Sequence, residues 1–118
     1  MEKPHKKLDL WKTSMELVKL VYRITSGFPE LETYSLTNQI RRAAISIPSN
    51  IAEGTARQTK KELVNFLHIA QGSLSELDTQ FDIALSLQYL TDTERKNVDD
   101  LTIRIDKMLT GLIRSKKA

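Results

Sequence analysis

The chain contains no cysteine, which excludes both a disulfide framework and a thiolate metal site. Four glycines and three prolines in 118 residues are too sparse a punctuation for an all-β fold, which needs frequent turns. Aromatic residues make up only 6%, so a core must rest on aliphatic side chains. No apolar run approaches the roughly 20 residues of a membrane span, and no membrane partner is expected. The first seven residues, MEKPHKK, are basic but lack the apolar stretch of a signal peptide, and a cytoplasmic location is the expectation. Neither sign of charge dominates. The formal net charge of +3 is compatible with a nucleic-acid partner and does not require one.

With 40% apolar and 28% charged residues, the composition is that of one folded domain, expected to span residues 1–118 with frayed ends at 1–7 and 115–118. Leu10, Met15, Leu17, Val18, Val21, Tyr22 and Ile24 have the three-and-four spacing of an amphipathic helix over residues 8–26. Gly27, Phe28 and Pro29 stop it, and residues 28–34 form a connection. A second helix, capped by Thr33 or Ser35, carries Leu36, Ile40, Ala43, Ala44, Ile47 and Ile51 to Glu53, with Gly54 as its C-terminal stop. Pro48 lies inside it without shifting the apolar phase, which predicts one helix kinked near Pro48. The competing reading is a break, with Ser46 capping a second piece.

Thr59 and Glu62 have the form of a capping box. The third helix then runs to about Leu90, with Leu63, Leu67, Ala70, Leu74, Leu77, Phe81 and Ala84 close to a heptad seam. Phe66, Ile69, Ile83 and Leu87 broaden that seam to a second side. Thr91 caps a fourth helix striped by Val98, Leu101, Ile105, Met108, Leu109 and Leu112. The fold class is therefore all-α, an antiparallel up-and-down four-helix bundle. The second apolar side of the third helix needs cover, which a homo-oligomer would supply.

Gln39, Arg42, Ser46, Ser49, Asn50 and Glu53 form a polar face in register with the apolar stripe of the second helix. The whole segment, QIRRAAISIPSNIAEG at residues 39–54, resembles the signature of the family called four helix bundle protein. Its members were first noticed as products of intervening sequences in large-subunit ribosomal RNA genes. The similarity extends to Leu10 and Trp11 and to FLHIAQGSLSEL at residues 66–77. The resemblance implies a bundle that assembles into a ring, commonly a homopentamer. It also implies relatives that serve as accessory proteins to reverse transcriptases of diversity-generating retroelements, with a basic barrel surface on nucleic acid. RNA or DNA and a protein such as a reverse transcriptase are the partners it suggests.

Arg41, Arg42, Arg57, Lys60 and Lys61 are the candidates for phosphate contact. The opposing reading pairs Arg42 with Glu53, Glu62 or Glu76 and leaves the lysines as a solvated face, since no aromatic residue interleaves them as base stacking requires. Ser46, Pro48, Asn50, Glu53, Gly54, Phe66, Ser73 and Glu76 are read as packing or interface residues. Glu76, among small neighbours, is expected to meet Arg42 or the segment around Ser46 and Asn50. Trp11 and Tyr22 are expected as core or interface anchors. His5 and His68 lack the neighbours of a metal site, and no glycine-rich phosphate loop or Ser/His/Asp arrangement exists. No cofactor is expected. The reading is a non-enzymatic accessory protein associated with nucleic acid; the alternative is a scaffold or protein-interaction module without nucleic acid.

Overall fold

The computed structural model describes residues 3–117. It contains helices α1 (Asp9–Thr25), α2 (Leu36–Thr55), α3 (Lys60–Ser86) and α4 (Asp92–Lys117), with single 3-10 turns at Pro4–Lys7 and Glu30–Glu32. No strand occurs among the described residues. Each helix packs on its neighbour in sequence, and α1 closes the arrangement against α4. Short connections make this an up-and-down bundle, 43 Å long, a length that α3 alone nearly spans at about 1.5 Å per residue. The two loops of one end meet where the Phe28 and Tyr89 rings approach to 5.4 Å. At the termini, where fraying is expected, Pro4–Lys7 form a turn and α4 continues to Lys117. Residues 1, 2 and 118 lie outside the described residues.

The core follows the predicted stripes. Leu17 and Val21 of α1, Ile40, Ile47 and Ile51 of α2, Leu67, Leu77 and Phe81 of α3, and Val98, Ile105 and Leu109 of α4 have no exposed surface. Burying each contributes about 1.5–3 kcal/mol before the entropy of ordering is set against it. Of the second apolar side predicted for α3, Ile69, Ile83 and Leu87 remain about half exposed and Phe66 is half-buried. Trp11 is half-buried with its edge against His5, and Tyr22 is exposed at 39%.

The helix α2 is continuous through Pro48, which is buried; the reading of a break at Ser46 is overturned. Ser46 instead bonds sideways, its Oγ 2.8 Å from Ser73 Oγ of α3. Asn50 Nδ2 donates to the Ser46 carbonyl at 2.7 Å in the turn that holds the proline. Two predicted helix ends are corrected. Ser35 precedes α2 but makes no side-chain cap bond; the Leu36 amide lies 3.5 Å from Glu32 Oε1. Gly54 does not stop α2. It is buried inside the helix, and a Cβ there would lie 3.0 Å from Leu63 Cδ1 and 3.0 Å from Phe66 Cβ. Gly54 is a point of close approach between α2 and α3, the most extensively packed pair of the bundle.

The helix α3 also ends earlier than predicted, at Ser86. Gln88 turns left-handed at φ 62°, and the Tyr89 amide donates to the Ala84 carbonyl at 3.0 Å. The Gln88 amide donates to the Leu85 carbonyl at 2.9 Å, completing a Schellman motif. Thr91 caps α4 as predicted: its Oγ1 accepts from the Glu94 amide at 3.0 Å, and Glu94 Oε1 accepts from the Thr91 amide at 2.9 Å. Arg95 then ties α4 to α3. Its Nη2 donates to the carboxylates of Asp78 and Asp82, and its Nη1 lies 2.9 Å from Asp99 Oδ1. Burial pushes the Arg95 guanidinium down, but the bonds to Asp78 and Asp82 and the Asp99 charge outweigh it and hold its pKa above the ordinary value.

Candidate functional site

The five cations predicted to share one patch divide into three groups. Arg41 is committed to α1: its Nε donates to Thr25 Oγ1 at 2.9 Å, and its guanidinium lies 4.5 Å from the centre of the Tyr22 ring. Arg42, one position on, points about 100° away around α2. It is exposed and lines a groove with Asn38, Gln39, Ser46, Ser73 and Glu76. Arg57, Lys60 and Lys61 lie past the end of α2, about 20 Å further along the bundle at 1.5 Å per residue.

Glu76 lines the same groove as Arg42 but forms no ion pair with it among the described residues. Glu76 Oε1 accepts instead from Gln80 Nε2 at 3.1 Å. Of the two expected meeting places, Arg42 and the segment around Ser46 and Asn50, both Arg42 and Ser46 share the groove of Glu76, and neither is bonded to it among the described residues. The other two proposed carboxylate partners are engaged as well. Glu53 Oε2 pairs with Arg57 Nη2 at 3.0 Å, and Glu62 Oε1 accepts from Thr59 Oγ1 at 2.9 Å. An aromatic ring does reach the basic region, because the Arg57 guanidinium lies 4.8 Å from the centre of Phe66.

What the sequence reading missed is the contribution of α4. Its last turn brings Lys116 and Lys117 beside Lys60, Lys61, Asn65 and His68 around an open depression of ≈ 400 Å³. Neither lysine pair forms an ion pair among the described residues. Lys3 and His5 line a neighbouring groove with Ser49, Glu53 and Ala56. Lys116 and Lys117 suit the negative end of the α4 dipole. Lys60 and Lys61 do the opposite: they open α3, where a cation costs about 0.3–1 kcal/mol.

The opposite end of the bundle carries the other sign. No lysine or arginine occurs in residues 24–40 or 62–94, the segments that supply both of its loops. Glu30, Glu32, Asp92 and Glu94 lie there, together with the exposed Leu31 and Tyr34. The Tyr89 hydroxyl donates to Glu32 Oε2 at 2.8 Å. That bond raises the phenol above its usual value of 10.0, with burial and the Glu32 charge adding to it. The small net charge thus conceals two ends of opposite sign. The cation-free gaps in the sequence are the signal that locates them.

Among the described residues no group of three or more His, Asp or Glu side chains could hold a metal ion. No described helix is long and apolar enough to cross a membrane. The bundle is similar to the crystal structure of a protein of unknown function from the S23 ribosomal protein family of Bacteroides thetaiotaomicron VPI-5482. The two agree with a TM-score of 0.79 at 22% identity, over 88% of this chain and 97% of that one. At that identity the likeness establishes the fold alone. No curated protein matches in sequence. The model of the 23S rRNA-intervening sequence proteins matches residues 6–111, and the chain belongs to that family.

Proposed function

We propose that this chain is a non-enzymatic, homo-oligomeric accessory protein that contacts the phosphates of RNA or DNA through the basic end of its bundle. One observation carries the reading. Lys60, Lys61, Lys116 and Lys117 converge at that end without ion-pair partners among the described residues, while Glu53, Glu62 and Glu76 are occupied elsewhere. Phosphate neutralisation supplies most non-specific affinity for nucleic acid, and an oligomer multiplies a modest patch.

Two different apolar surfaces support self-association. One is the half-exposed set formed by Ile69 and Ile83 of α3 and Leu87 just past its end. The other is a groove lined by Trp11, Met15, Val18, Ile45 and Pro48 between α1 and α2. Non-identical surfaces on one chain suit head-to-tail contacts, which close into a ring when the rotation permits. The number five comes from the family resemblance alone. The second reading, a scaffold or protein-interaction module without nucleic acid, draws on the exposed Leu31 and Tyr34.

Fluorescence anisotropy of a labelled single-stranded RNA against salt separates the two. The proposal expects log affinity to fall with log salt by about 0.7 per neutralised phosphate. Lys60→Gln with Lys61→Gln should flatten that slope, and Arg41→Gln should leave it unchanged. Absence of binding at low salt would overturn the nucleic-acid reading in favour of the scaffold. Light scattering tests the assembly; a monomer at micromolar concentration contradicts it.

A further inference from the structure

We infer that the depression between the start of α3 and the end of α4 is a binding site for a condensed phosphate chain, a di- or triphosphate carried by a free nucleotide or by the 5′ end of RNA. The inference rests on the proposal that the basic end meets phosphate, and narrows it to one ligand class and one place.

Three features separate this site from a solvated lysine face. The first is convergence: Lys60 and Lys61 stand on one wall, and Lys116 and Lys117, more than fifty residues away in sequence, stand on the other. The second is that no Asp or Glu side chain lines it among the described residues. The groove of Arg42 contains Glu76, that of Lys3 contains Glu53, and that of Lys107 contains Asp78 and Asp106. Those three hold carboxylates that can neutralise their cations; the lining of this one supplies none among the described residues.

The third feature is local. Lys60 and Lys61 occupy the first turn of α3, whose dipole repels cations. An anion in the depression offsets that repulsion through its bonds to the ammonium groups. Asn65 and His68 add polar groups one and two turns further along the same face. A concave site with four ammonium groups matches a ligand whose charge is concentrated on a few adjacent atoms. An extended strand would spread its phosphates along a face instead. Condensed phosphate is therefore the chemistry that fits.

Isothermal titration of the full-length native oligomer with inorganic triphosphate tests the site. Saturable binding is expected, weakened about tenfold or more in a Lys60→Gln/Lys116→Gln variant, as the loss of two charge-assisted contacts implies. Arg42→Gln, on the carboxylate-containing groove, should bind within about twofold of wild type, since one such contact elsewhere is untouched. Melting curves matching wild type show that the variants fold. Absence of triphosphate binding, or equal binding by the double variant, overturns the inference.

The source of the phosphate is read by comparing a 5′-triphosphate RNA, the same RNA with a 5′-hydroxyl, and a nucleoside triphosphate. A preference for the 5′-triphosphate RNA that disappears in the double variant supports the site with RNA ends as its ligand. Binding of the nucleoside triphosphate, with no effect of the RNA 5′ group, supports the site with free nucleotide as its ligand. If the 5′-hydroxyl RNA binds while triphosphate neither binds nor competes, this inference falls and the phosphodiester reading stands. If nothing binds, both fall.

Discussion

Gly54 and Tyr89 each hold two elements together through one atom's worth of geometry. At Gly54 two effects oppose each other on substitution by alanine. Helix propensity favours alanine by about 1 kcal/mol, while forcing a methyl group into a packed contact costs about 1–3 kcal/mol. Leu63 Cδ1 can swing aside, but Phe66 Cβ and the Leu63 carbonyl, 3.3 Å from the added carbon, cannot. Packing wins. Gly54→Ala should lower the melting temperature by a few degrees at fixed protein concentration; a higher melting temperature would show that α2 and α3 part without cost. Tyr89 gives a pH dependence with a definite sign. Its folded pKa is raised above the ordinary 10.0, so its contribution is fully present below pH 10 and disappears as pH rises through the folded value. Tyr89→Phe should lose less of its melting temperature between pH 9 and pH 11 than wild type does. Equal losses in both proteins would assign the alkaline instability to other groups.

At the scale of elements, helix phase was the legible quantity and helix ends were not. The apolar positions Ala44, Ile47 and Ile51 keep their register across Pro48, and their complete burial explains how α2 survives the missing donor. A single glycine after such a run has two physical uses, a left-handed stop or a close contact, and only the partner helix decides between them. Gly54 has the second use. The end of α3 was hidden for the converse reason: its left-handed residue is Gln88, where a non-glycine side chain costs about 1–2 kcal/mol. Gln88→Gly should therefore stabilise the bundle by about 0.5–1 kcal/mol, after the greater freedom of glycine in the unfolded chain is subtracted. Chemical denaturation measures it through the transition midpoint at constant slope. A lower midpoint would mean that the Gln88 side chain contributes more than its strained backbone costs.

For the whole molecule, the informative property is the arrangement of charge along the 43 Å axis rather than its sum. Arg57, Lys60 and Lys61 were legible as a local cluster in the sequence. Lys116 and Lys117 were not, because nothing in a linear chain says that the last turn of α4 lies beside the first turn of α3; only the up-and-down topology does. Conversely, the adjacency of Arg41 and Arg42 suggested a joint role that the helix divides, turning one toward Tyr22 and Thr25 and the other toward α3. A ring of such bundles with their axes aligned would present one basic rim and one acidic rim. The most direct measurement of this account is ultraviolet crosslinking of the native protein to single-stranded RNA, with the attached peptides mapped by mass spectrometry. Crosslinks concentrated in residues 3–7, 57–68 and 114–117 are the predicted result. Crosslinks concentrated in residues 28–35 and 86–94, at the acidic end, would contradict it.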